Sequence, residues 1–268
     1  MTTTNFGHSA LNIEAGGPTG AEPLLLLHGW GSSTAAMHPL AQTFSPQYRT
    51  YTVDLPGHGH SPPPPEPWGL PEHAAMLRQL ITERIQPETG RDAVTIIGHS
   101  NGGRIGLYMA STPEHAALVR RLVLISPSGI APQRTWRYHM RSKTAKAIKA
   151  PFEHLPDPLR EPALDWLRHS LVWRALGSSD YNALEGVMRE TFVKTVTHHL
   201  DGPVHRIDVP TLILWGTDDE AISRQQVEAL EEAIPDAGLV ELDGAGHYGQ
   251  LDDPQTVIAA TRYFLENT

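Results

Sequence analysis

Gly98-His99-Ser100-Asn101-Gly102 decides how the rest of this chain is read. Ala93-Val94-Thr95-Ile96-Ile97 precedes it, a run rich in β-branched residues that reads as a buried strand. Arg104-Ile105-Gly106-Leu107-Tyr108-Met109-Ala110 follows it and reads as a helix. A serine on so tight a strand-to-helix turn sits in a strained backbone conformation, and Gly98 and Gly102 keep neighbouring side chains from clashing. Its hydroxyl projects above the carboxyl ends of the strands. The N-terminus of the following helix aims free N–H groups and its positive dipole end at the same spot. Ser100 is therefore the candidate nucleophile. The blander reading, a glycine-rich turn capped by serine, weakens with each partner found elsewhere in the chain.

Working outward toward the N-terminus, Tyr51-Thr52-Val53 reads as a strand that breaks at Asp54-Leu55-Pro56-Gly57-His58-Gly59-His60-Ser61. Leu24 to Leu27 reads as another, ending at His28-Gly29-Trp30-Gly31, with a helix expected from about Thr34 to Phe44. Phe6 to Glu14 alternates weakly, as an antiparallel edge strand would. Pro62 to Pro65 make an extended loop, and Leu77, Leu80, Ile81 and Ile85 put one apolar face on a helix from about Pro71 to Ile85. On the other side, Leu122 to Ile125 is a strand.

The pattern changes after Gly129. Strand signals stop, and amphipathic helical patterns punctuated by Pro151, Pro156, Pro158 and Pro162 replace them. Leu164, Leu167 and Leu171 mark one helix face. Val187/Met188, Thr191/Phe192 and Thr195/Val196 mark another. Residues 129–203 carry a charge balance of +3 against −12 in the remainder. Strands return at Thr211 to Trp215 and Leu239 to Leu242, with helices from about Ser223 to Ala233 and Asp253 to Leu265. Short apolar strands alternating with helices indicate a mostly parallel sheet covered on both faces. The helical stretch reads as an insertion, giving a core of residues 1–128 and 206–268 and a cap of residues 129–205.

With 268 residues, 40% hydrophobic and 19% charged, the chain suits one globular domain carrying an inserted unit. The net charge of −9 argues against a nucleic-acid partner. Residues 1–20 lack the basic and apolar regions of a signal peptide, and the longest apolar runs are too short to span a bilayer. No membrane association is expected. The absence of cysteine excludes disulfides and thiol chemistry and fits a reducing compartment, so the expected location is cytoplasmic. Fifteen histidines include no H-E-x-x-H pair, so no metal site is expected.

In this fold class ligands bind outside the carboxyl ends of the strands. Trp215-Gly216-Thr217-Asp218-Asp219 and Gly244-Ala245-Gly246-His247-Tyr248 each follow such a strand. Serine, then an aspartate, then His247 is the chain order of one arrangement of the serine–histidine–acid triad. These loops, the Gly29 and Gly57 loops and the serine turn together resemble the α/β-hydrolase superfamily over nearly the whole chain.

The resemblance implies a catalytic triad of Ser100, Asp219 and His247. The acid normally stands four residues after the tryptophan of a W-G-x-x-D pattern, which matches Asp219, with Asp218 and Glu220 as rivals. Some relatives carry the acid after the preceding strand, where this chain has Ser126 and Ser128. The resemblance also assigns the two donors of an oxyanion hole to the backbone N–H groups of Trp30 and Asn101. His28, His58 and His60 read as loop anchors, His99 as packing beneath or beside the site, and Asp54 as capping a turn. His198 and His199 read as helix surface, and Trp136, Trp166 and Trp173 as core of the helical layer. The activity implied is hydrolysis of a small carboxylic ester through an acyl-serine, without a cofactor. Alternatives on the same residues are carbon–carbon bond hydrolysis of a diketone-like substrate, lyase or perhydrolase chemistry, and a slow ligand sensor. The sequence does not indicate an oligomeric state.

Overall fold

The computed structural model describes residues 2–6, 9–132 and 184–268, the first two strands up to residue 10 by their backbone alone. Trp136, Trp166, Trp173, the Leu164–Leu171 face, the four prolines and most of the cap proposed for residues 129–205 lie outside the described residues.

Eight strands form one sheet among the described residues: β1 (Thr2–Phe6), β2 (Ser9–Gly16), β3 (Pro23–Leu27), β4 (Arg49–Val53), β5 (Val94–His99), β6 (Val119–Ile125), β7 (Thr211–Gly216) and β8 (Ala237–Leu242). Their order is β1-β2-β4-β3-β5-β6-β7-β8. β1 and β2 pair antiparallel, as do β2 and β4; every other pair is parallel. The N-terminal expectation is thus corrected. Phe6 to Glu14 is not one edge strand: Phe6 pairs with Ser9 in a hairpin, and β2 lies between β1 and β4.

The helices are α1 (His38–Phe44), α2 (Leu70–Leu80), α3 (Gln86–Thr89), α4 (Asn101–Ser111), α5 (Gly186–Thr197), α6 (Arg224–Ala233), α7 (Gly249–Asp252) and α8 (Pro254–Asn267). A short 3-10 turn, Thr34–Met37, leads into α1, and a wider helical turn, Ile81–Ile85, joins α2 to α3.

Strand side chains alternate between the faces, and the two faces carry separate cores. Ile96, Leu122, Leu124 and Ile213 pack with Leu77 of α2, Ile105 of α4 and Val227 and Leu230 of α6. Leu24, Leu26, Ile97, Val123 and Leu214 pack with Leu40 and Phe44 of α1 and Val257 and Leu265 of α8. Burying each such aliphatic side chain contributes about 1.5–3 kcal/mol. A parallel sheet covered on both faces leaves open the ends of its strands, and the loops after β3, β4, β5, β7 and β8 gather at the carboxyl ends.

The chain after β6 is tied back to the core at Gly129 and Ile130. Leu200 N–H donates to Gly129 O at 2.9 Å, and Gln226 Nε2 donates to Ile130 O at 2.8 Å. β6 and β7, which flank this segment in sequence, are hydrogen-bonded neighbours in register Leu122↔Thr211 to Ile125↔Leu214.

Candidate active site

Ser100 joins β5 to α4 with φ 49° and ψ −107°, a positive-φ conformation that an L-residue adopts only under strain. Two glycines make the turn possible. A methyl on Gly102 would sit 2.3 Å from Leu27 O, and one on Gly98 would sit 2.6 Å from the backbone of Gly102. Ser100 N–H donates to Ile125 O at 2.9 Å, which ties the turn to β6.

His247 comes from the loop after β8. Its Nε2 stands 3.0 Å from Ser100 Oγ, and its Nδ1 stands 2.9 Å from Asp219 Oδ2 and 3.1 Å from Asp219 Oδ1. Asp219 comes from the loop after β7; its side chain is fully buried, whereas Asp218 and Glu220 are exposed. Burial alone would raise the Asp219 carboxyl. The bond from His247 and the N–H groups of Ile222 and Ala221, at 3.0 and 2.8 Å on Oδ1, outweigh it and hold the group below its ordinary value. The carboxylate is therefore ionised at neutral pH and can only accept. Nδ1 of His247 carries the proton, and the Nε2 lone pair faces the serine hydroxyl.

His99 supports this arrangement from beneath. It is 1% exposed, and its ring lies 5.0 Å from that of His247 and 4.8 Å from that of Tyr248. Its Nε2 lies 2.9 Å from His247 O, a carbonyl that can only accept, so the proton is on Nε2. Burial, with the neighbouring His247, lowers its pKa to about 4, which keeps the ring neutral.

The loop after β3 reaches the same place. A methyl on Gly29 would come within 2.7 Å of His99 Nδ1 and 3.1 Å of Ser100 Cβ, so Gly29 lies directly against the serine turn. His28 Nδ1–H donates to Gly29 O at 2.7 Å, while its Nε2 accepts Leu55 N–H at 3.0 Å. Burial lowers the His28 pKa to about 4. The neutral ring thereby pins the Gly29 loop to the loop after β4. Asp54 anchors that second loop from below, accepting from Thr34 N–H, His60 N–H and Asn12 Nδ2 at 2.7, 2.9 and 2.8 Å. His58 meets the Trp30 ring edge-on at 4.8 Å. Asn101 is the first residue of α4, so its N–H has no intrahelical acceptor.

α5 lies over these loops. Phe192 meets Trp30 with ring centroids 5.0 Å apart, Met188 fills the space that a side chain at Gly57 would need, and Thr191 Oγ1 accepts Trp68 N–H at 3.1 Å. The face marked by Val187/Met188, Thr191/Phe192 and Thr195/Val196 is the inward one, with Thr191 and Thr195 fully buried. His198 caps the end of this helix against Tyr108 at 5.4 Å between rings, and His199 is exposed.

The structure thus brings Ser100, His247 and Asp219 into one hydrogen-bonded row and sets Trp30 and Asn101 on loops flanking the serine. Two contacts at the site are not visible in the sequence. The His99 bond to His247 spans 148 positions, and Arg104 joins α4 to the end of α5. No group of side chains that could hold a metal ion occurs among the described residues, and no described helix is long and apolar enough to cross a membrane.

The sequence profile of the alpha/beta hydrolase fold matches residues 22–254. A pimeloyl-[acyl-carrier protein] methyl ester esterase of Aeromonas salmonicida is 27% identical over 90% of this chain and 94% of its own. An uncharacterized protein of Mycobacterium tuberculosis is 25% identical over 97% of this chain and 78% of its own. Among solved structures, the enol-lactonase from Burkholderia xenovorans superimposes with a TM-score of 0.72 at 21% identity, covering 99% of this chain and 100% of that one. The profile match, over most of the chain, places this protein in the α/β-hydrolase fold family.

Proposed function

We propose that this protein hydrolyses small carboxylic esters through an acyl-serine intermediate, with Ser100 as nucleophile, His247 as general base and acid, and Asp219 as its orienting partner. The observation that carries this reading is the row Ser100 Oγ–His247–Asp219, with contacts of 3.0 and 2.9 Å. The Aeromonas relative, named for cleaving a methyl ester, supports esters as the substrate class.

A serine hydroxyl is too weak an acid to attack a carbonyl unaided. As Ser100 Oγ bonds to the ester carbon, its proton passes to His247 Nε2, and Asp219 stabilises the imidazolium. The carbonyl π pair moves onto oxygen. The N–H groups of Trp30 and Asn101 are assigned to that oxyanion; losing one such donor typically costs about 3–4 kcal/mol of transition-state stabilisation. Collapse expels the alkoxide, which takes the proton from Nε2 and leaves as alcohol. Water then attacks the acyl carbon, passing one proton to Nε2. That proton returns to Ser100 Oγ as the carboxylic acid departs. Residues 129–205 are proposed as a cap inserted between β6 and β7, selecting substrates above the serine.

The test is Ser100→Ala. The variant is expected to fold, to lose turnover of chromogenic esters and to resist stoichiometric labelling by an organophosphonate. Retained turnover, or labelling of the variant at another serine, defeats the assignment. A diketone assayed in parallel separates ester from carbon–carbon cleavage.

A further inference from the structure

Arg104 is a buried cation that the proposed chemistry leaves unused. It sits one turn into α4, four residues after Ser100, and is 6% exposed. Burial lowers its pKa to about 10, and none of the described carboxylates pairs with it. A buried guanidinium needs acceptors for its N–H groups, and its described contacts supply them. Nε donates to Ser128 Oγ at 3.1 Å, and Nη1 donates to the Thr195 carbonyl. Thr195 lies in the last turn of α5, where carbonyls lack intrahelical partners and the dipole end is negative. Among the described residues, that carbonyl's other donor is the His198 N–H, at 3.3 Å. Ser128 N–H in turn donates to the carbonyl of Ser100 itself at 3.2 Å. Arg104 therefore fastens three pieces together: the helix that starts at the candidate nucleophile, the loop leaving β6, and the C-terminal end of α5. The same α5 brings Phe192 against Trp30 and Met188 against Gly57.

We propose that Arg104 is a positioning residue that fixes α5 over the serine turn, and thereby sets the room above Ser100 for the variable part of a substrate. The substrate half of this statement rests on the esterase reading; the docking half does not. A cation suits the task because its planar fork reaches two acceptors at once. A lysine, with one point charge, holds one of them well and the other poorly.

Three variants test it: R104M, R104K and S128A. Hydrogen–deuterium exchange over residues 186–200 reads the docking of α5. Thermal melts read folding. A series of p-nitrophenyl esters of increasing acyl length reads KM and kcat. In R104M, exchange at 186–200 is expected to quicken while β5 and β6 stay protected. KM for the longer esters should rise roughly tenfold, with kcat moving less and the preferred acyl length shifting. R104K should recover part of both effects, and S128A should move both in the same direction by less. A folded R104M with wild-type exchange over 186–200 overturns the proposal, as does one that loses kcat at unchanged KM and acyl preference. Should R104M fail to fold, R104K and S128A decide by the same readouts, and wild-type behaviour in both overturns it. A wild-type protein that cleaves none of the esters refutes the esterase reading; the exchange comparison then still decides whether Arg104 docks α5.

Discussion

Asp218 and Asp219 are adjacent in sequence and opposite in surroundings. The Asp219 side chain is fully buried and accepts from Nδ1 of His247, while Asp218 faces solvent. Asp219→Asn is therefore expected to lose kcat by something on the order of 10⁴-fold, because an amide can present its NH₂ to Nδ1 and stabilise the wrong tautomer. Asp218→Asn is expected to be mild. Steady-state kinetics on both variants checks this, and the reverse ranking would mean that the orienting carboxylate has been misassigned. Ser100, Asp219 and His247 are legible as candidates because each stands at a strand end marked by glycine, a local signal. His99 shows where local signals stop. Its adjacency to Ser100 is plain in the chain, yet its hydrogen bond to His247 depends on how two loops from opposite halves of the sequence come together.

The elements differ in how legible they were for similar reasons. β5, β6 and β7 each contain the apolar run that marks them, although β6 begins earlier, at Val119 through two arginines, and β5 runs on to His99. The β1–β2 hairpin was read as one strand because polar Thr2–Phe6 carries no apolar alternation; pairing with β2 makes it a strand. The helix expected through Ile85 instead loosens at Ile81 into a wider turn, a backbone change that apolar spacing does not encode. The turn at Ser100 tolerates less variation than either. Gly102→Ala would set a methyl 2.3 Å from Leu27 O, backbone that cannot swing aside. This variant is expected to melt lower and to lose ester turnover together, by circular dichroism and activity assay; a normally folded, fully active protein would contradict the packing described. Phe192→Ala acts at another level. The ring is half-buried against Trp30, so its loss should alter KM and acyl-length preference more than kcat, measured over an ester series. A loss confined to kcat would instead give Phe192 a part in the chemistry.

For the molecule as a whole, the buried histidines predict a sensitivity to acid. His28, His73 and His99 are each lowered by burial from 6.5 to about 4. Between those values the unfolded chain binds protons that the folded chain refuses, so stability falls as pH falls through that window. The slope approaches about 1.4 kcal/mol per pH unit for each group. Asp54 and Asp219 are held low by their hydrogen bonds and act further down: their contribution is present above the unfolded carboxylate value and is lost as pH falls through the folded one. Urea unfolding at pH 7.5, 6 and 5 should show a falling midpoint, and identical midpoints would contradict neutral buried rings. The pairing of Gly129 O with Leu200 N–H has a different consequence. That bond holds both ends of an excursion to the core, and α5, the part of it that leads to Leu200, packs onto the loops of Trp30, Gly57 and Trp68. Where α5 touches the core, the sheet side and the excursion must therefore change together. A segment grafted between these two residues would have to bring a helix face that fits Trp30 and a carbonyl in reach of Arg104, a lock that the newcomer must already match.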